Sequence, residues 1–375
     1  MIWNWQQPDW TDFRFDKSRL DPQEAWFMHS AGVVLGMIKH LDAGATEQLS
    51  IELLSNEAVQ TSAIEGEILD RDSVQSSLRR QFGLRTDDRR VTPAEQGVAE
   101  MMVDLYRTFD QPLEHATLQR WHQMLMNGRS DVRDIGRYRT HEEPMQVASG
   151  RLDRITVYFE APPSAIVPKE MDRFTEWFNR TAPGRDAALP AITRAGIAHL
   201  YFVAIHPFED GNGRVGRAVA EKALAQTLGR PTLLALADAI KRRQNDYYRA
   251  LQEASLTNEI TPWLTWFADT VVQAQLSTQS RAEFLIEKTR LLARLRGRMN
   301  PRQEKALLRM LEEGPEGFKS GMSADKYIRL TETSRATATR DLQDLVEKGA
   351  LIRRGKLRHT RYFLVIPTQA IPAAD

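Results

Sequence analysis

Cysteine occurs nowhere in the 375 residues, and that one absence removes disulfides, thiolate zinc sites and cysteine nucleophiles together. Long apolar runs are missing as well: none reaches the 18 residues of a membrane span. The opening Met1-Ile-Trp-Asn-Trp has no basic segment leading into an apolar one. These absences set the expectation of a soluble, cytoplasmic protein with no membrane partner. Charge of one sign is not in excess either, since 51 Lys and Arg face 50 Asp and Glu for a formal net charge of +1. Bulk electrostatics therefore does not make the molecule a polyanion binder, although local patches can. What the chain does have is length for two or three domains and a 42% hydrophobic content, ample for packed cores.

The stretch with most chemistry is His206-Pro-Phe-Glu-Asp-Gly-Asn-Gly-Arg-Val-Gly-Arg217. The proline disfavours the α region at His206, so the apolar run from Ala191 to Ile205 should end there with the imidazole projecting from a helix end. Asp210-Gly-Asn-Gly is a turn cluster whose glycines let backbone approach a ligand. From Arg214 the pattern is helical again, with Val215, Ala218, Val219 and Leu224 at helical spacing. A glycine loop opening a helix presents unpaired N–H groups and a positive dipole end, an anion site. Arg214 and Arg217, three apart, share one face and can clamp phosphate oxygens. Asp210 is a hard oxygen ligand suited to Mg2+ bridging phosphates, and His206 can take a proton from a hydroxyl. The set asks for a nucleotide, a metal and a hydroxyl nucleophile.

This segment resembles the motif of the Fic family, HxFx(D/E)GNGRxxR, at every fixed position. The resemblance implies transfer of AMP from ATP to a hydroxyl side chain of a target protein. By it, His206 is the general base, Asp210 holds magnesium, Gly211, Asn212, Gly213 and Arg214 cradle phosphates, and Arg217 holds the γ-phosphate end. Thr61-Ser-Ala-Ile-Glu65-Gly66 is similar to the family's inhibitory helix motif, (S/T)xxxE(G/N). Thr61 and Glu65, four apart, lie on one helical face. There Glu65 would pair with Arg217 and compete with the nucleotide, an autoinhibited resting state.

The other elements read as follows. Trp3, Trp5, Trp10, Phe13 and Phe15 are aromatic anchors that pin an N-terminal arm onto a core. Helical patterning runs from Pro22 to about Leu84, and the charged stretch Arg85 to Thr92 is a boundary. Helices follow over about 93–108 and 112–127, with His122 a packed structural histidine. The β signal of the middle region is Met145-Gln-Val-Ala, then Ser149-Gly150 as turn residues, then Ile155 to Phe159. In Fic proteins a comparable hairpin, the flap, holds the target by strand addition, which places Thr156, Val157, Tyr158 and Phe159 there. Tyr247-Tyr248 is similar to a stretch lining the nucleotide base, with Ser255 where relatives often carry Asn.

Beyond a linker at residues 294–301 come three helical segments, the third capped by Ser334 and Gly349, then two strands, an order resembling a winged helix-turn-helix. Residues 334–361 hold Arg335, Arg340, Lys348, Arg353, Arg354, Lys356, Arg358 and Arg361 against Asp341, Asp344 and Glu347. DNA is one partner this balance suits; a protein partner is the other.

The expectation is thus a mainly α protein: a Fic-type helical core with a small β-hairpin flap, plus a C-terminal winged helix. Its parts are residues 1–88, a regulatory region; 89–295, the catalytic core; and 300–367. ATP and Mg2+ are the expected substrate and cofactor, and a homodimer is a candidate assembly. The competing readings are an AMP-removing hydrolase using the same site, and a nucleotide-sensing DNA-binding regulator.

Overall fold

The computed structural model describes residues 2–39, 41, 43–86, 89–151, 154–318 and 320–366. In chain order the elements are α1 (Asp21–Lys39), α2 (Ala43–Ile64), α3 (Arg71–Gln81), α4 (Pro93–Thr108), α5 (His115–Leu125), β1 (Gln146–Arg151), β2 (Arg154–Glu160), α6 (Val167–Arg180), α7 (Ala191–Ile205) and α8 (Asn212–Leu228). There follow α9 (Leu236–Arg242), α10 (Gln244–Ala254), α11 (Thr261–Leu295), α12 (Pro301–Leu311), α13 (Ala324–Thr331), α14 (Arg335–Glu347), β3 (Leu351–Arg354) and β4 (Arg361–Leu364). The protein is mainly α, as its sequence led us to expect. None of the described helices is long and apolar enough to cross a membrane.

The chain forms two compact units, residues 1–33 with 50–278, and residues 34–49 with 279–375. The boundary expected at 85–92 lies inside the first unit, where α3 and α4 on either side of it pack together. Residues 87–88 of that boundary, and residue 367 at the far end, lie outside the described residues.

The first unit is built around α7. Of its residues only Val203 is not buried, and a helix without a polar face can only be central. α8 packs on it closely because Gly216 has no side chain: a Cβ there would lie 3.0 Å from Val203 Cγ2 and 3.2 Å from His199 Nδ1. Phe174, Phe178, Phe202 and Trp263 fill the space around the pair, each burial contributing about 1.5–3 kcal/mol. α4 starts where the sequence marks it, with Pro93 in the first turn and a capping box between Thr92 and Glu95.

The N-terminal arm is pinned by its aromatics. Trp10 and Phe13 meet the edge of Tyr201, with centroids 5.4 and 5.5 Å away, and Trp3 meets Phe159 at 5.5 Å. The hairpin differs from the sequence reading in register. Ser149 and Gly150 are not turn residues but strand residues of β1, paired with Thr156 and Ile155, and the ladder runs on to Arg151 opposite Arg154. Both residues tolerate extended backbone, and an irregularity between Val147 and Ala148 shifts the register that alternation alone implies. Of Thr156 only the backbone is described; its side chain lies outside the described residues.

In the second unit, Asn300, Ser323 and Ser334 each cap a helix by accepting a backbone N–H, from Gln303, Lys326 and Thr337. Leu307, Met310, Leu342, Leu345, Leu351 and Leu364 form its core. Buried Tyr327 donates to Asp341 at 3.0 Å, and Arg302 reaches the same carboxylate at 2.9 Å. The sequence reads strands over 351–356 and 361–365; β3 ends earlier, at Arg354, where Gly355 turns the chain at φ 74°, and β4 ends one residue earlier, at Leu364.

Candidate functional site

The loop from Ile205 to Asn212 is held in a shape that its sequence only partly announces. α7 stops at Ile205 as expected, but His206 takes a left-handed conformation, φ 51° and ψ 58°, rather than the extended one a following proline favours. The His206 N–H bonds to Phe202 O at 3.0 Å and so closes the helix, a task glycine usually performs. A strained residue persists only where its surroundings fix it. Here they are Arg139, whose Nε donates to His206 O at 2.8 Å and whose backbone N–H donates to Pro207 O at 2.9 Å. Arg139 also donates to Pro162 O and to Ser164 Oγ, and burial without a carboxylate pushes it down to about 10. Nothing local in the sequence marks this arginine.

His206 Nδ1 lies 3.2 Å from Val203 O. A carbonyl only accepts, so Nδ1 carries the hydrogen and Nε2 keeps its lone pair. Burial pushes the imidazole down to about 4, with the Arg139 cation adding to the effect, so the ring is neutral near pH 7.

The glycine loop opens α8 as expected, two residues earlier than the pattern at Arg214. Gly211, at φ 78°, caps the helix in the left-handed region. Asn212 is buried, accepting from Phe208 N at 2.9 Å and donating to Phe208 O at 2.7 Å. Its side chain is therefore spent on loop shape, and only its backbone is left for a ligand. His122 is the packed histidine expected: its ring stacks on Phe208 at 4.1 Å, and Nδ1 accepts from Gly136 N at 3.0 Å.

The start of α8 is covered by the end of α2. Glu65 Oε1 lies 2.7 Å from Arg217 Nη2, and a Cβ on Gly213 would sit 2.2 Å from that same oxygen. The carboxylate thus rests in the space Gly213 leaves at the helix N-terminus, where an anion is favoured. Arg217 also donates to Thr61 Oγ1 at 2.7 Å and to Thr61 O at 2.8 Å. Desolvation lowers its pKa, but the adjacent Glu65 outweighs this and leaves it raised.

Gly66, at φ 85°, ends α2 in a Schellman turn, with Glu67 N bonded to Ser62 O and Gly66 N to Ala63 O. That turn swings a second acid inward: Glu67 Oε2 lies 2.7 Å from Arg214 Nη1. Side chains from elsewhere also bond to carbonyls at the end of α2. Lys241 donates to Ala63 O at 2.8 Å, Gln244 to Ile64 O at 2.8 Å, and Tyr248 to Ile64 O at 2.9 Å.

A cavity of about 610 Å³ gathers Glu65, His206, Gly213, Tyr247, Tyr248 and Ser255, with Val147, Tyr158 and Phe159 of the hairpin across its mouth. The expected tyrosine pair divides. Tyr247 is 1% exposed, its hydroxyl 2.8 Å from His199 Nε2, whereas Tyr248 is 43% exposed and offers the open ring. Arg214 and Arg217 are buried behind the acids, and Val157 packs beside Phe159 rather than lining the cavity.

Asp210 stands at the other side of the loop. Its Oδ2 lies 2.9 Å from Arg129 Nη1, its Oδ1 accepts from Gly211 N at 2.6 Å, and Arg214 Nη2 is 3.6 Å away. Among the described residues no three acidic or imidazole side chains gather as a metal cage. Magnesium held by one carboxylate plus substrate phosphates needs no cage, and the partly exposed Asp210 fits that mode.

Comparison with known proteins locates two regions. Residues 112–224 match the model of the Fic/DOC family, and residues 3–84 match a domain of unknown function, DUF4172. A protein adenylyltransferase Fic from Nematostella vectensis is 28% identical over 156 residues, 40% of this chain and 34% of that protein. Its namesake from Drosophila yakuba is 29% identical over 130 residues, 34% of this chain and 24% of that protein. This chain spans only about a third or less of the length of these curated relatives. In fold, it is similar to a Fic family protein from Desulfovibrio desulfuricans, with a TM-score of 0.53, 22% identity, and 92% and 96% of the two chains covered. A Fic domain containing signaling protein from Bacteroides thetaiotaomicron gives a TM-score of 0.52 at 17% identity, over 70% of this chain and 98% of that one.

Proposed function

Since residues 112–224 form a Fic domain, we propose that the protein transfers AMP from ATP to a hydroxyl side chain of a target protein, and that Glu65 holds it inactive at rest. The observation that carries this reading is the Glu65 carboxylate seated on Gly213 and Arg217, which marks an anion site and fills it. With that acid displaced, the α8 N-terminus and the two arginines take the triphosphate, and the tyrosine wall takes the base.

His206 Nε2 accepts the proton as the target oxygen attacks the α-phosphorus. The new O–P bond forms as the bond to the bridging oxygen breaks, and pyrophosphate leaves with that oxygen's electron pair. A magnesium ion at Asp210 would supply charge neutralisation to the phosphates. Arg217 and the helix N-terminus stabilise charge in place, so the residues act mainly by positioning. The test uses labelled ATP with magnesium on wild type, Glu65→Gly and Glu65→Gly/His206→Ala. Label as AMP on protein only with Glu65→Gly is expected. No label from Glu65→Gly that binds ATP would overturn the reading.

For the second unit we propose duplex DNA as the partner, with α14 as the reading helix and β3–β4 as a wing. Arg340, Arg353 and Lys356 are exposed on these elements. Leu357 is 92% exposed at the tip of the strand pair. The side chain of Arg358, also expected on the wing, lies outside the described residues. Fluorescence anisotropy should give an affinity that falls steeply with salt and weakens in Arg340→Ala. Absence of binding at low salt would remove the proposal.

A further inference from the structure

The first residues of the chain touch both walls of the cavity, and neither the motif nor the inhibitory acids account for this. Trp5 Nε1 donates to Glu160 O, the last residue of β2, at 2.7 Å. Trp3 packs edge-on against Phe159, which lies 6.5 Å from the His206 ring. Between them, Asn4 is buried, its N–H donating to Ser255 O at 2.7 Å and its Nδ2 to Ala254 O at 3.3 Å. Asn258 Nδ2 returns a bond to Asn4 O at 3.2 Å. Three consecutive residues therefore tie the hairpin on one side to the Ser255 segment on the other.

We infer that residues Trp3 to Trp5 are a positioning element for the reaction: they hold β2 at a fixed distance from His206 and so set where an acceptor hydroxyl is presented. The inference rests on the transferase reading for its chemistry. Its physical basis does not. A two-stranded ribbon is marginal by itself. This one is anchored where Phe159 and Ala161 join Trp3 and Ala204 in a small apolar cluster of their own, apart from the main core. If the arm lets go, the hairpin loses the apolar face and the N–H donor that fix its end. A displacement of about 1 Å of a reacting group can cost up to a hundred-fold in rate. The arm also gives a task to the first residues of the segment matched by the domain of unknown function.

The experiment uses the full chain in the Glu65→Gly background and adds Trp5→Phe, which keeps an aromatic ring but cannot donate to Glu160. Three quantities are read: ATP affinity by calorimetry, the rate of self-labelling with AMP at saturating ATP, and hydrogen exchange of the amides at 157–160. The loss of one hydrogen bond should speed exchange there roughly ten-fold and slow labelling to a similar degree, with ATP affinity within about two-fold. Exchange in α7 and α8 should not move. A purely structural role would lower ATP affinity and speed exchange throughout the unit. That pattern, or unchanged exchange at 157–160, overturns the inference. Absence of labelling in Glu65→Gly itself would instead defeat the transferase reading, while exchange and calorimetry would still decide the role of the arm. Trp3→Leu serves as a second variant, expected to act in the same direction through lost packing.

Discussion

Tyr248 donates its hydroxyl to the carbonyl of Ile64, the last residue of α2, at 2.9 Å. One wall residue of the cavity is thereby also a cap on the helix that carries Glu65. Tyr248→Phe keeps the ring and removes the cap. A net hydrogen bond contributes about 0.5–1.5 kcal/mol, so basal AMP transfer should rise roughly three- to ten-fold. Labelling assays on wild type and variant check this, and an unchanged basal rate with intact ATP binding would contradict it.

Glu67 neutralises Arg214 as Glu65 neutralises Arg217. Glu67→Gln keeps the shape and removes the charge. ATP should bind roughly ten-fold or more tighter, since a partly buried charge-assisted bond contributes about 1.5–3 kcal/mol and its loss frees the guanidinium for phosphate. Calorimetry on Glu67→Gln, Glu65→Gly and the double variant should give the tightest binding for the double.

Gly213→Ala distinguishes an anion cradle from a mere resting place for Glu65. The helix backbone accepts alanine, so folding should be retained, but its Cβ fills the space at the α8 N-terminus and comes within 3.2 Å of Arg217 Nη1. In the Glu65→Gly background we expect transfer to fall roughly a hundred-fold, with a thermal midpoint unchanged or raised. Activity equal to that of Glu65→Gly would place the phosphates elsewhere.

Stability should fall in mild acid. Burial pushes the wholly buried His122 and His199 from 6.5 down to about 4. Between those values the unfolded chain binds protons that the folded one refuses, so their contribution is complete above pH 6.5 and lost as pH falls toward 4. The slope is about 1.4 kcal/mol per pH unit for each histidine. Urea unfolding at pH 7.5, 6.5 and 5.5 measures it, and because His206 is pushed down to the same value, His199→Gln should reduce the slope by about a third.

The loop at 206–217 was legible because its residue types are packed into twelve consecutive positions, and the helices because caps such as Thr92 and Ser334 announce them. Glu65 was picked out by the likeness of Thr61 to Gly66 to the Fic inhibitory-helix motif, its spacing from Thr61 giving only a shared helical face. Glu67 was not, although it stands two residues on, because only the left-handed turn at Gly66 aims it inward. Arg139 and Arg129 act on residues 67 and 81 positions away and carry no local signal. Tyr247 and Tyr248 are identical letters; burial among His199, Trp263 and Trp266 separates them. The hairpin register escaped because Ser and Gly read as a turn wherever they stand together.

The seat of Glu65 on Gly213 has a consequence for measurement. Glu65 is in effect a ligand attached to its own receptor, present at a fixed effective concentration that dilution cannot lower. The inhibition proposed for Glu65 should therefore be independent of protein concentration. Any nucleotide affinity measured on the resting protein reports a contest with this tether, reduced by the fraction of time the seat is empty.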